Sequence, residues 1–416
     1  MTIPPLVLGI DLGTSGVRAV VIDERKEILQ SKATAYRRNL SDPSSWKRAC
    51  QELIQGIPAR LRKNLKAVSV DGTSGTLLAC NHQGVPLGEA LTYSQACPEQ
   101  EQKLRRLTPK GGAASSISGS LARALRLVDQ FGPDLLLRHQ ADWVTGWLLN
   151  DWRWGEEGNN LRLGWDLDNS CWIDGLIDQT WSASLPAVVT SGSIFGRIAT
   201  GTATELGLPD DLLIVAGTTD SNAAVLAAEP DAADGVTVLG TTLVMKRFTE
   251  QPLQAEGVTR HRVGGRWLCG GASNAGAGVL RRFFNDAQLA ELSRQIDPET
   301  DSGLFYRPLP GPGERFPVDD PTLAPVLAPR PVSDALYLHG LLEGLAEIEL
   351  QGWRRLMQLG AALPERVISI GGGARNPQWR RLRERRLCCP VVSCDAPPAA
   401  GVARLALEAL QSAGTQ

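Results

Sequence analysis

No C-x-x-C pair occurs among the eight cysteines, Cys50, Cys80, Cys97, Cys171, Cys269, Cys388, Cys389 and Cys394. A zinc or dithiol redox site therefore has little support, and free thiols in a reducing compartment are the simpler reading. The four histidines, His82, His139, His261 and His339, show no metal-ligand spacing. Positive charge is not in surplus: 43 Lys and Arg face 45 Asp and Glu, for a net charge of −2. That speaks against a broad nucleic-acid footprint. No stretch approaches the ~18 consecutive apolar residues of a membrane span. The opening "MTIPPLVLGID" has no basic region before its short apolar run, which soon meets an Asp, so it reads as a strand and not a signal peptide. A cytoplasmic location without membrane association is the expectation. Two nucleotide motifs are also missing: there is no G-x-x-x-x-G-K-[ST], and no G-x-G-x-x-G opening a helix after a strand. A nucleotide, if handled, must be held by another kind of loop.

What is present suits a folded two-domain chain. Apolar content of 43% and charged content of 21% lie near globular averages, and 416 residues exceed one ordinary core. Residues 6 to 36 read as three strands, "LVLGIDLG", "GVRAVVID" and "EILQSKATAY", joined by tight turns. "SDPSSWKRACQELIQGIPARLRKN" opens with Ser-rich capping chemistry, and Trp46, Ala49, Leu53, Ile57 and Leu61 follow at helical spacing. The apolar strand "AVSVDGTSG" comes next. This β-β-β-α-β order with apolar strands predicts a mixed sheet covered on both faces. The order restarts near residue 235. "GVTVLGTTLVMKRF" is strand, turn and strand, "GGRWLCGGASN" another strand, and "AGAGVLRRFFND" continues as a helix. A long helix follows, with Leu338, Leu341, Leu345, Ile348 and Leu356 on one stripe and Gly360 as its stop. "RVISIGGGARNPQW" is again a strand entering a Gly-rich turn. The unit is thus duplicated, with domains expected over 1–229 and 230–416.

Between the halves, Trp143, Trp147, Trp152, Trp154, Trp165, Trp172 and Trp181 suit the packing of irregular substructure better than a sugar platform. The Pro-rich run "PLPGPGERFPVDDPTLAPVLAPRP" reads as an ordered surface excursion punctuated by Phe305, Tyr306 and Phe316. "RRLRERRLCC" reads as a solvated helix face, with Cys388 and Cys389 at a buried helix end.

The turns carry the chemistry. Gly, Thr and Ser between two strands leave backbone N–H groups free to converge, and the hydroxyls add donors, which suits phosphate oxygens. Asp11 ends a strand beside Gly13 and Thr14. A carboxylate next to phosphates repels them unless a hard cation lies between, so Mg²⁺ is implied; an Asp-stabilised turn is the plainer alternative. Asp220 in "VAGTTDSNAAVLAAEP" follows a strand and opens a helix of small residues. It is either a helix cap or a general base within reach of a substrate hydroxyl.

Together these stretches resemble the FGGY family of carbohydrate kinases over nearly the whole chain. "GIDLGTSGVRA" is similar to the family's first phosphate motif, "GTTDSNAA" to its catalytic-aspartate segment and "VTVLGTTLVM" to its second phosphate motif. "GASNAGAGVL" and "PGPGERFP" resemble later signatures, and "ISIGGGARNPQWRRL" the adenosine motif. The resemblance implies an α/β fold of two actin-like, ribonuclease-H-like domains with the active site in the cleft between them. It implies ATP and Mg²⁺ as cofactors and a sugar as partner, in a monomer or homodimer. Asp11 would hold the cation through water. Gly13, Thr14 and Ser15 would contact the transferring phosphate, together with Gly240, Thr241 and Thr242. Gly372, Gly373 and Asn376 would hold the adenosine, with Trp379 as a wall. Asp220 would take the proton of the attacking hydroxyl, and Asp71, Thr73, Ser74 and Tyr93 would line the sugar pocket.

The chain departs from the family in its sugar clamp. Where relatives often read Trp or Tyr, x, Asp, x, Arg, this chain has "YSQACPEQ", with Gln95 and Cys97 at the positions of the acid and base. Its shortened form resembles a compact cyanobacterial and plant branch labelled xylulose-kinase-like, whose members act on D-ribulose. D-ribulose is thus the expected acceptor and D-xylulose the alternative. An actin-like ATPase, or a nucleotide-binding regulator with a degraded sugar site, are the competing classes.

Overall fold

The computed structural model describes residues 5–109 and 111–413. Contacts divide it into two units. The first comprises residues 1–227, 262–265 and 397–416; the second comprises 228–261 and 266–396. The main break falls at Ala227, beside the expected 229/230 boundary, but the last helix, expected with the second domain, is placed with the first.

In the first unit, β1 (Leu6–Leu12), β2 (Gly16–Ile22) and β3 (Ile28–Ala35) form an antiparallel meander. Beside β1 runs β4 (Leu65–Gly72) in parallel, followed by β6 (Leu213–Val215) and β5 (Ile194–Arg197). The sheet order is β5-β6-β4-β1-β2-β3. β1 is buried along its whole length, as the apolar run requires of a strand covered on both faces. Most of β3 is exposed, as a charged edge strand should be.

The helix Pro43–Gln55 buries Trp46, Ala49 and Leu53 against this sheet. Its cap is Asp42 and not one of the serines: the Asp42 carboxylate accepts from the Ser44 N–H at 3.0 Å. Trp143 and Trp147 join the same core, with Trp143 edge-on to Trp46 at 5.9 Å. A further apolar core, built from Leu77, Leu121, Leu125, Leu137 and Trp181, supports the irregular region.

The terminal helix Pro398–Ala413 crosses β1 very closely. A Cβ built on Gly9 would stand 1.8 Å from the Ala399 carbonyl oxygen, so only glycine fits that crossing. The same helix meets the helix Asp220–Ala227, where a Cβ on Gly401 would lie 2.0 Å from the Ala223 oxygen. Arg404 then donates to the Ala227 carbonyl at 2.6 Å, at that helix's C-terminus.

The second unit repeats the plan. β7 (Asp234–Leu239), β8 (Leu243–Thr249), β9 (Val258–Val263), β10 (Arg266–Ser273), β11 (Arg366–Ile370) and β12 (Val391–Ser393) are ordered β9-β10-β8-β7-β11-β12. Sequence periodicity missed β9. The long helix spans Asp334–Gln358 and buries all five residues of the expected stripe. Gly360 lies just beyond it at φ +109°.

Three expectations fail here. "AGAGVLRRFFND" gives only one helical turn, Ala277–Leu280, because glycines disfavour a longer helix. Arg383, expected on a solvated face, is fully buried and clamps Glu349 with Nε–Oε2 at 2.5 Å and Nη2–Oε1 at 2.7 Å. Cys388 caps the helix Pro377–Leu387 in a left-handed conformation and is exposed, while Cys389 is half-buried. In the Pro-rich run Tyr306 and Phe316 are buried and Phe305 is exposed. Among the described residues, no helix is long and apolar enough to cross a membrane.

Candidate active site

The first unit gathers three carboxylates through strand register. Asp11 and Asp71 are the penultimate residues of β1 and β4, and they are direct partners across the parallel pair. Beyond β6 the chain comes so close to β4 that a Cβ on Gly217 would lie 1.9 Å from the Val70 oxygen. Thr219 then bridges Gly72, and Asp220 opens the next helix. Carboxyl ends of parallel strands are where open α/β sheets place ligands. The Asp220 Oδ1 accepts its neighbour Ser221's N–H at 2.7 Å, which fixes the carboxylate.

Burial dominates the electrostatics. The Asp71 carboxyl is pushed well above the ordinary carboxylate range by burial, then by the charges of Asp11 and Asp220. Among the described residues, neither Asp71 oxygen has a hydrogen-bond partner. Burial raises Asp11 as well, opposed by the Arg18 guanidinium, whose Nη1 donates to Asp11 Oδ2 at 3.1 Å. Arg18 stands opposite Asp11 in the β1–β2 hairpin register.

A hard cation fits this pair. The donors are all oxygen, and the two orphaned oxygens of Asp71 sit beside Asp11. No group of three or more His, Cys, Asp or Glu able to hold an ion occurs among the described residues. A cation here would therefore take one or two carboxylates and leave its other positions to water and phosphate, which is how Mg²⁺ is commonly held.

The first phosphate turn is a tight hairpin tip, with the Gly13 N–H on the Gly16 carbonyl at 2.9 Å and Thr14 and Ser15 exposed. The second turn, Gly72 to Thr76, sorts its hydroxyls. Thr73 is buried, and its Oγ1 donates to Gln140 Oε1 at 2.7 Å and lies 2.7 Å from Thr76 Oγ1. Its hydrogen-bonding capacity is thus spent inside the protein, against the expectation that it lines a sugar pocket. Ser74 is the half-buried hydroxyl of this turn. Tyr93 is exposed, and its Oη lies 3.3 Å from Thr14 Oγ1.

The altered clamp has a structural explanation. Gln95 turns its Oε1 onto its own loop, accepting the Thr92 N–H at 2.7 Å, and Cys97 is buried in the apolar core of the irregular region. The buried Arg123 holds the loop instead, donating to the carbonyls of Gln95 and Gly75 at 3.0 Å each, of Tyr93 at 2.5 Å and of Ser118 at 2.9 Å.

In the second unit, Gly240, Thr241 and Thr242 form a turn closed by the Gly240 N–H on the Thr242 carbonyl at 3.2 Å. The small residues of "GASNAGAG" pack beneath it: a Cβ on Gly276 would lie 2.5 Å from the Thr241 oxygen. Glu314, from "PGPGERFP", anchors that support by accepting from Ser273 Oγ at 2.5 Å and the Asn274 N–H at 2.7 Å. The adenosine motif leaves β11 through Gly371 at φ +90°. Gly372 faces open space, with nothing within 4 Å of where a Cβ would stand. Asn376 caps the next helix, accepting from the Trp379 N–H at 3.0 Å and donating to Ser293 Oγ at 2.8 Å. Trp379 is buried, with its ring packed against Gly373.

Sequence reasoning missed Arg18, Tyr36, Arg123, Gln140 and Glu314. Arg18 had a readable signal, since hairpin register alone places it opposite Asp11, and Glu314 lay within the stretch "PGPGERFP". Tyr36, Arg123 and Gln140 reach their partners through long-range folding.

Two mixed sheets of the same plan, each with Gly-Thr turns, make an actin-like, ribonuclease-H-like fold. The N-terminal domain of the FGGY family of carbohydrate kinases matches residues 6–120, and its C-terminal domain matches 235–410. The chain belongs to that family and is an ATP-dependent sugar kinase. A xylulose kinase of Escherichia coli K12 is 23% identical over 96% of this chain and 89% of its own length. The ligand-bound xylulose kinase of Lactobacillus acidophilus superposes with a TM-score of 0.80 at 17% identity, covering 98% of this chain and 90% of that one. Plasmodium falciparum glycerol kinase with ADP gives 0.81 at 14% identity, with coverage of 98% and 90%.

Proposed function

We propose that the chain transfers the γ-phosphate of MgATP to a hydroxyl of a neutral pentulose, with D-ribulose as its acceptor. The observation that carries this reading is the juxtaposition of Asp11, Asp71 and the Asp220 segment at neighbouring strand ends, beside two Gly-Thr turns. Burial first, and then the charges of Asp11 and Asp220, raise the Asp71 pKa. The carboxylates of Asp11 and Asp220 repel an anionic sugar acid, and Arg18 is engaged with Asp11. A neutral polyol is the acceptor this environment admits. Compactness and the "VDGTSG" turn support D-ribulose; the name xylulose kinase carried by the relatives favours D-xylulose as second reading.

In this reading Asp220 takes the proton of the attacking hydroxyl, a contribution of roughly 10²–10⁴-fold. Ser74 and Tyr93 orient the sugar. The Gly13–Ser15 hairpin and the Gly240–Thr242 turn each offer N–H and hydroxyl groups suited to phosphate, and Gly372 and Gly373 offer the adenosine close backbone approach. Asp11 would hold the Mg²⁺ through water, and that ion would offset phosphate charge; Asp71 would line the sugar pocket. Alignment of this kind can account for about 7–11 kcal/mol of the barrier.

The test is ADP release and sugar-phosphate formation with MgATP against D-ribulose, D-xylulose, L-ribulose, glycerol and no acceptor. A rise with D-ribulose above the others supports the proposal. A rise with D-xylulose alone selects the second reading, and a flat panel moves the ATPase or regulator classes ahead. Asp220→Asn is expected to lower acceptor-dependent turnover at least ~10²-fold while MgATP still shifts the melting temperature. Undiminished turnover removes Asp220 from the mechanism.

A further inference from the structure

A closed hydrogen-bond circuit runs through the first unit. The Tyr36 hydroxyl donates to the Gly13 carbonyl at 3.0 Å. Gln140 Nε2 donates to the Tyr36 oxygen at 3.1 Å. Gln140 Oε1 accepts from the Thr73 N–H at 3.1 Å and from Thr73 Oγ1 at 2.7 Å. Thr73 Oγ1 meets Thr76 Oγ1 at 2.7 Å, and Thr76 Oγ1 accepts the Tyr93 N–H at 3.2 Å. The Tyr93 hydroxyl returns to Thr14 at 3.3 Å.

From Gly13 to Thr76 the proton directions follow from the groups at either end. A carbonyl only accepts, so Tyr36 must donate to Gly13 and its oxygen is left to accept. A backbone N–H only donates, so Gln140 must turn its oxygen to Thr73 and its nitrogen to Tyr36. With the Thr73 proton given to Gln140, Thr76 donates to Thr73. Gln140 is fully buried and opens the helix Gln140–Leu149, whose N-terminus is docked by its N–H on the Thr76 carbonyl at 3.1 Å. Burial drives the Tyr36 phenol far above its ordinary range, so it is a permanent donor.

We propose that Gln140 is a positioning residue that locks the Thr73–Ser74 turn to the Gly13–Ser15 hairpin and so sets the acceptor hydroxyl against the transferring phosphate. The inference rests on the kinase reading. Gln140 and Tyr36 touch neither substrate in this account; they hold the two segments that do. Direct contacts to sugar and nucleotide survive their loss, whereas alignment does not, and a misplacement of about 1 Å can cost on the order of 10²-fold.

The experiment compares wild type, Gln140→Leu, Tyr36→Phe and the double variant. Its readout is the ratio of acceptor-dependent phosphoryl transfer to ADP release without acceptor. A purely structural defect scales both with the folded fraction and leaves the ratio unchanged. The expected result is a ratio lowered ~10–10²-fold in each single variant, with KM for sugar and for MgATP each within about threefold of wild type. In the double variant the loss is expected to exceed the worse single by no more than about threefold, because one chain can be cut only once. Tyr36→Phe removes a single oxygen and keeps the ring, so the test stands if Gln140→Leu does not fold. Ratios unchanged within about twofold, or losses that multiply in the double variant, overturn the inference while the kinase reading survives. A wild-type ratio of one with every acceptor removes the kinase reading, and this inference with it.

Discussion

Two adjacent hydroxyls, Thr73 and Ser74, share one turn and have opposite fates. The Thr73 hydroxyl is committed to Gln140 and Thr76, while Ser74 is half-buried at the turn's surface. Ser74→Ala is expected to raise KM for sugar several-fold with little change for MgATP; equal rises would misplace the acceptor. Thr73→Val is expected instead to lower stability by about 1–3 kcal/mol, since it strands buried partners. Denaturant midpoints check this, and an unchanged midpoint would refute it. A further prediction concerns Glu156, a buried carboxyl that accepts the N–H groups of Gly158 and Asn159. Burial pushes it well above its ordinary value of 4.5, and those two hydrogen bonds only partly oppose the rise. The folded chain therefore keeps a proton that the unfolded chain releases above that value, and stability falls as pH rises from there toward the folded pKa. Glu156→Gln is expected to flatten the melting temperature against pH over that interval. Parallel curves for the two proteins would count against it.

Whole strands and turns were the best-read features, because their signal is local. "LVLGIDLGTSGVRAVVID" shows both strands and the hairpin tip in its own apolar pattern, and the structure places β1 and β2 there. The stripe of the helix Asp334–Gln358 was legible for the same reason. What escaped was set at long range. Arg383 sits in a run of charges that looks solvated, yet its guanidinium reaches Glu349 and Ser369 inside the second unit. Thr237 adds a donor to the same Glu349 at 2.6 Å, so the pair is satisfied on all sides. Arg383→Met alone leaves Glu349 buried and unpaired, with an expected loss of about 3–5 kcal/mol. Adding Glu349→Leu should recover most of it, short of wild type by what Thr237 and Ser369 lose. Urea midpoints decide this. A double variant no better than the single would show that charge pairing is not the cause. Of the site, the aspartates and glycines were readable from turn chemistry. The buried supports Tyr36, Arg123 and Gln140 were not, because no spacing rule joins residues that meet only after folding.

At the scale of the molecule, the order of the chain and the order of the units disagree. The first unit runs to Ala227 and then lacks its last helix until residue 397. Val402, Leu405 and Leu407 of that helix are buried. At ~1.5–3 kcal/mol for each large apolar side chain, they reach the lower end of a domain's whole stability, ~5–15 kcal/mol. Removing the chain from Pro397 onward is therefore expected to abolish cooperative melting of the first unit. A truncated protein that melts at the wild-type temperature would refute the assignment.

The glycine crossing at Gly9 also sets a timetable for synthesis. While the ribosome is still making the middle of the chain, β1 lies open along the line where Ala399 and Ala403 will later pack. Asp220's helix likewise waits for Arg404 at its far end. The nascent protein thus carries the Asp220 segment without its brace until the helix Pro398–Ala413 has been made.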